Sequence, residues 1–103
     1  MVLHDLPGVT HNYAYFPVEI NAAQYGMSRD ELYEKLKTEN IYSRRYFYPL
    51  CSEFPTYRSL PSAIPANLPV ATKVAQNILC LPMFANLLDE QLNQIIAVLT
   101  KKY

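Results

Sequence analysis

Along this chain the spacing of apolar residues switches between the strand period of two and the helical period of about 3.6, and each switch marks an element. Residues 12–20 (Asn-Tyr-Ala-Tyr-Phe-Pro-Val-Glu-Ile) are rich in aromatic and β-branched side chains and predict a strand. Pro17 has no N–H to donate, so it belongs at an edge, a bulge or the strand end, with a neighbour missing on that side. Ser28 followed three residues later by Glu31 forms a capping box, after which Leu32, Tyr33 and Leu36 recur at helical spacing. A helix over residues 29–39 follows, carrying Glu31 and Lys35 as an i,i+4 pair. Asn40 tolerates the left-handed backbone that closes a helix, and residues 41–48 read as a second strand halted by Pro49.

Between Pro49 and Pro69 the periodicity stops. Pro49, Pro55, Pro61, Pro65 and Pro69 with intervening Ser and Thr predict a long ordered loop, and Phe54, Tyr57 and Leu60 within it argue against a free tether. Asn67 is a candidate cap for a helix over residues 69–77, with Val70 and Val74 facing inward. Residues 78–82 (Ile-Leu-Cys-Leu-Pro) predict a short buried strand. Asp89 and Glu90 open a last helix where carboxylates complement the dipole, Leu92, Ile95, Ile96 and Leu99 give it an apolar stripe, and Lys101 and Lys102 finish it. Its cap is Asn86 or weak, because Leu88 precedes the acidic pair. The expected fold is a two-layer α/β (α+β) domain spanning residues 1–103, a small mixed sheet of about three strands with helices packed on it.

Composition narrows the function classes. Nine basic and nine acidic side chains cancel over 103 residues, so no field draws in nucleic acid or an anionic membrane. No apolar run approaches the roughly 20 residues of a membrane span. Cys51 and Cys80 lie far apart with only His4 and His11 as further soft ligands, so they read as free thiols of a reducing, cytoplasmic setting and not as a metal site or disulfide framework. With only Gly8 and Gly26 there is no glycine-rich phosphate loop, and no serine has recognisable His-Asp company. His11 is a polar strand-start residue. Lys35, Lys37, Lys73, Lys101 and Lys102 all fall on helices, and Lys35, Lys37 and the terminal pair look solvent-facing, whereas a Schiff-base lysine must be desolvated. No catalytic residue is legible.

What stands out is the run 42–50, Tyr-Ser-Arg-Arg-Tyr-Phe-Tyr-Pro-Leu, in which two guanidinium groups adjoin aromatic rings. Arginine forks carboxylate or phosphate, and tyrosine both stacks and hydrogen-bonds, a combination suited to an anionic, hydroxyl-rich ligand. The same residues also suit the exposed face of an ordinary strand. Alternation along a strand puts Arg44, Tyr46 and Tyr48 on one side and Arg45 and Phe47 on the other.

Taken with His11-Asn12-Tyr13-Ala14-Tyr15-Phe16-Pro17-Val18, Ser28-Arg29-Asp30-Glu31-Leu32, Phe54-Pro55-Thr56-Tyr57 and Leu79-Cys80-Leu81-Pro82-Met83-Phe84, the run resembles the C-terminal domain of the DegT/DnrJ/EryC1/StrS aminotransferases, over residues 2–98. The resemblance implies the small domain of a fold-type I pyridoxal-phosphate enzyme that aminates nucleotide-linked keto-sugars, with glutamate as the family's donor. It also implies that the cofactor domain, with its Schiff-base lysine, lies upstream, and that the small domain packs on it and helps close a site at a homodimer interface. The family run is closer to Arg-Pro-His-Tyr-Tyr-Pro-Leu, so Tyr46 stands where His is common and Phe47 where Tyr is common, both positions tending to face substrate or cofactor. Arg45 replaces the Pro and is either a partner for a substrate phosphate or carboxylate or a solvated strand arginine. The expected substrate-binding residues are therefore Arg44, Arg45, Tyr46, Phe47 and Tyr48, with no cofactor-binding or metal-binding residue. The alternative is a stand-alone, non-enzymatic binding or oligomerisation module. Exposed apolar surface separates the two, because a domain parted from its partner uncovers the face that met it.

Overall fold

In the computed structural model, which describes residues 1–101, the centre is a pair of four-residue strands, β1 (Phe16–Glu19) and β2 (Ile78–Leu81). They run antiparallel with Phe16 opposite Leu81, Pro17 opposite Cys80, Val18 opposite Leu79 and Glu19 opposite Ile78. Cys80 spends both its backbone groups on Arg44, at 2.9 and 2.8 Å. The facing pair Pro17 and Cys80 is thus a non-hydrogen-bonded one, and the missing N–H of Pro17 costs the β1–β2 ladder nothing. The outer side of β1 has a neighbour after all. Val2 bridges Val18, and Met1 and Glu19 exchange hydrogen bonds, the Glu19 N–H reaching the Met1 carbonyl at 2.9 Å.

Four α-helices occur among the described residues. The first, α1 (Ala22–Tyr25), was not anticipated, although its stops are written in the sequence: Asn21 Oδ1 accepts the N–H groups of Ala23 and Gln24, and Gly26 closes it at φ 93°. The second, α2 (Arg29–Thr38), begins on the anticipated capping box, with Glu31 Oε2 accepting the Ser28 N–H at 2.7 Å and Ser28 Oγ accepting the Glu31 N–H at 3.2 Å. The Ser28 N–H and hydroxyl, both donating to the charged form, hold the Glu31 carboxyl below its usual range. Asn40 takes the left-handed backbone, at φ 59°. The third, α3 (Pro69–Asn77), carries Pro69 in its first turn and has no side-chain cap, since Asn67 instead donates to the Pro61 carbonyl. The fourth, α4 (Asp89–Thr100), starts at Leu88, whose N–H is taken by Gln91 Oε1 at 3.0 Å in place of a cap from Asn86. Lys102, expected to finish it, lies outside the described residues.

Leu32 and Leu36 of α2, Leu79 of β2 and Ile95 of α4 meet with Ile20 and Ile41 to form the core. Two polar contacts tie the helices: Tyr25 Oη donates to the Leu99 carbonyl at 2.9 Å, and Gln94 Nε2 to the Glu39 carbonyl at 3.1 Å. Three short 3-10 turns, Cys51–Glu53, Pro61–Ala63 and Pro65–Asn67, order the proline-rich loop.

Three expectations need correction. The sheet is antiparallel and two-stranded, not mixed with about three strands. Of the run 41–48 only Arg44 pairs, antiparallel to Cys80, and the chain then turns at Tyr46 and Phe47, so there is no parallel crossover and strand alternation does not govern the arginines and tyrosines. Val70 and Val74 face outward at 74% and 38% exposure, and Ala75 is the buried residue of α3. Among the described residues no helix is long and apolar enough to cross a membrane, and no three acidic, His or Cys side chains are grouped to hold a metal ion.

Candidate functional site

The bridge to β2 fixes where Arg44 stands. Held by two backbone hydrogen bonds to Cys80, it lines a cleft of about 310 Å³ together with Tyr15, Tyr42, Met83 and Phe84. Its guanidinium forms no ion pair among the described residues. Burial pushes the neighbouring Cys80 thiol up, and the Arg44 charge draws it partway back. An unpaired cation walled by two phenol rings, a phenyl ring and a thioether suits an anionic ligand that also offers a flat or apolar part.

Tyr46 stands one ring back from this cleft. Its ring lies 4.9 Å from that of Tyr15 and 4.2 Å from that of Phe47, both pairs tilted, so Tyr46 packs between Phe47 and the cleft wall. Arg45 and Tyr48, on either side of the turn, go elsewhere. Arg45 Nη1 lies 3.3 Å from Asp30 Oδ1, and its guanidinium sits 4.8 Å from the ring centre of Tyr33 and 4.9 Å from that of Tyr48. The Arg29 guanidinium is also 5.0 Å from the Tyr48 ring centre. Arg29 is the buried member, donating to the carbonyls of Ala75 at 2.9 Å and Ile78 at 3.1 Å and, through Nε, to Asp30 Oδ1 at 2.9 Å.

The five expected site residues therefore divide. Arg44 enters the cleft, Tyr46 and Phe47 flank it through Tyr15, and Arg45 and Tyr48 join a cluster on α2. Sequence reasoning did not select Tyr15, Tyr42, Met83 and Phe84 as site residues. The signal that finds them is the pairing of residue 44 with residue 80, which brings three distant segments to one place.

Among the described residues the lysines do not offer a pyridoxal phosphate site. Lys37 is exposed and lies 3.9 Å from Glu34, Lys35 is one-third exposed and lies 3.5 Å from Glu39, and Lys73 and Lys101 are exposed. None has the desolvated setting that a cofactor-anchoring lysine requires.

A model of the DegT/DnrJ/EryC1/StrS aminotransferase family matches residues 1–100. The chain belongs to this family, of whose members it represents the C-terminal part. Among curated relatives it is 44% identical over 110 residues to a dTDP-4-amino-4,6-dideoxy-D-glucose transaminase of Escherichia coli, a match covering 98% of this chain and 29% of that protein. A transaminase of the same description from Shigella dysenteriae is 36% identical over 88 residues, covering 85% of this chain and 23% of the relative. Among solved structures, DesI, crystallised in the presence of its TDP-sugar product, superposes with a TM-score of 0.73 at 32% identity, over 92% of this chain and 26% of DesI. The chain thus spans less than a third of the length of each of these proteins.

Proposed function

We propose that this chain is the C-terminal domain, residues 1–103, of a pyridoxal-phosphate-dependent aminotransferase acting on a dTDP-linked 4-keto-6-deoxy sugar. The observation that carries the reading is the 44% identity, along 98% of the chain, to a transaminase named for the corresponding amino sugar. When bound, the cofactor supplies the electron sink for amino transfer. The residues present here do not fit it, so its anchoring belongs to the remaining two-thirds or more of the enzyme.

The part this chain plays is to bind and orient. Arg44 pairs with an anionic group of the nucleotide-sugar, and Tyr15, Tyr42 and Phe84 wall the cleft, with Tyr46 and Phe47 supporting that wall from the turn; Tyr48 stands behind the turn. The domain packs on the cofactor domain in a homodimer. Exposed apolar residues support that packing over a free-standing module: Leu60, Ile64, Val70 and Val74 along the proline-rich loop and α3, and Leu88, Leu92 and Ile96 at i,i+4 spacing along α4.

The test compares the intact enzyme, the isolated chain and an Arg44→Ala variant of the intact enzyme, each given pyridoxal phosphate, glutamate and the dTDP-linked keto-sugar. Amino-sugar formation is expected from the intact enzyme and not from the isolated chain. Arg44→Ala is expected to raise KM for the nucleotide-sugar by about tenfold or more, the loss of one charge-assisted contact. An unchanged KM sinks the role of the cleft, and product from the isolated chain sinks the division of labour.

A further inference from the structure

Arg44 and Arg45 are adjacent in sequence, but only Arg45 is already engaged on every side the structure records. Its charge meets the Asp30 carboxylate, and its guanidinium plane meets the rings of Tyr33 and Tyr48. Tyr48 is held in turn between two guanidinium groups, those of Arg45 and Arg29, and both of these reach the same oxygen of Asp30. Arg29 is anchored in the scaffold by the carbonyls at the end of α3 and the start of β2. A line of contacts thus runs from the sheet through Arg29 and Asp30 to Arg45 and Tyr48, the two residues that bracket the turn with Tyr46 and Phe47 at its tip.

We propose that Arg45 is a positioning residue that fixes the Tyr46–Phe47 turn from behind, locked by Asp30 and by the Tyr48 ring, and does not itself bind the substrate's phosphate or carboxylate. The proposal rests on the reading above, in which the turn supports the substrate cleft. Its physical basis is exclusivity. A guanidinium committed to a carboxylate and stacked on two rings gives up those contacts before it can fork an anion, whereas Arg44 beside it has no ion pair to surrender.

The two roles make opposite predictions for Asp30, which sits on α2 and takes no part in the cleft. In the intact enzyme, Arg45→Gln is expected to raise KM for the nucleotide-sugar by about tenfold, roughly the loss of a half-exposed ion pair together with a cation–π contact, and Asp30→Asn by about threefold, the loss of the ion pair alone. The double variant is expected to lose less than the two single losses added together, because both substitutions remove the Arg45–Asp30 pair they share. Arg45→Lys, which keeps the charge and forfeits the planar stack, is expected to recover part of the loss. KM for glutamate and the urea midpoint, measured on the same variants, are expected to move little. If Asp30→Asn leaves KM unchanged or lowers it while Arg45→Gln raises it, Arg45 is a direct ligand freed by removal of its competitor, and the proposal is overturned. A fall of kcat with both substrates in step with lost stability overturns it as well, in favour of a purely structural role. Tyr46→Ala controls the underlying reading: an unchanged KM removes the turn from the substrate and the proposal with it, whereas a raised KM with Asp30→Asn inert overturns the positioning role only.

Discussion

Arg29 provides the most direct test of how this fold is held, because it is a charged side chain only 2% exposed, with Ser43 the other buried polar residue among those described. Two of its hydrogen bonds go to main-chain carbonyls, Ala75 at 2.9 Å and Ile78 at 3.1 Å, and a third to Asp30. Replacing it with Met keeps most of the aliphatic volume and removes every donor. Each carbonyl left without its charged partner is worth about 1–3 kcal/mol. The Asp30 pair adds less than about 1 kcal/mol, because Asp30 is 58% exposed and water screens it. Against these losses, the variant no longer buries a guanidinium, which returns part of the desolvation penalty. The balance is a destabilisation of about 3 kcal/mol, with Arg29→Lys recovering less than half, since an ammonium cannot span both carbonyls and the carboxylate. Urea unfolding followed by circular dichroism measures it directly. A loss below about 1 kcal/mol for Arg29→Met, with an unchanged m-value, would refute the reasoning and show that the buried cation breaks even with an apolar replacement.

Other perturbations probe separate links. Ser28→Ala, which removes the cap of α2, is expected to cost about 1 kcal/mol at neutral pH in the same assay. Because the folded state depresses the Glu31 pKa below its ordinary 4.5, the stability this carboxylate confers is complete above that value and fades as pH falls through the depressed one. The penalty of Ser28→Ala should therefore shrink on acidification, and Glu31→Gln should abolish that pH dependence. Thiol titration is expected to count one fast-reacting group, the exposed Cys51, and a second only in denaturant, since Cys80 is buried with its thiol pKa raised. Leu79→Ala, at a fully buried position between α2 and α4, is expected to cost about 3–5 kcal/mol in urea unfolding.

The parts of the fold legible in the sequence are those governed by local chemistry. The capping box at Ser28, the left-handed residue at Asn40, the apolar run of β2 and the acidic start of α4 each act within a few residues, and each is where the residues indicate. What was not legible depends on contacts between distant segments. Residues 42–48 have strand composition, yet only Arg44 pairs with β2, and the next residue turns to Asp30 and Tyr33 instead of extending a ladder. The strand expected over residues 12–20 shortens to Phe16–Glu19 for a related reason. His11 Nδ1 and Asn12 Oδ1 accept the N–H groups of Tyr13 and Ala14, and Tyr13 takes a left-handed backbone at φ 51°, so this stretch bonds to itself before the sheet begins. The outward valines of α3 follow the same rule, since an apolar residue near the right period marks a face without naming what covers it. The candidate site was half legible: residue types picked out the run at 42–50, and the pairing of Cys80 with Arg44 and Pro17 brought Tyr15 and Phe84 to it.

Electrostatics explains why that pairing matters more than composition. The chain has no net charge, and among the described residues Arg29 and Arg45 share the Asp30 carboxylate while Lys35 pairs with Glu39 and Lys37 with Glu34. Arg44 is the charged residue in the cleft lining, so the attraction of the cleft for an anion acts from it at short range, since fields at an exposed surface die away within about 8 Å at physiological ionic strength. A lone exposed arginine holds a phosphate weakly. On the reading proposed above, selectivity comes from the aromatic walls, supported by the turn at Tyr46 and Phe47, with that turn fixed by the neighbouring arginine on its carboxylate. Two identical side chains in sequence thus contribute in different ways, one by remaining unpaired and the other by being paired. Exchanging their environments, by moving the carboxylate from residue 30 to a place beside Arg44, is expected to impair nucleotide-sugar binding even though the charge count is unchanged.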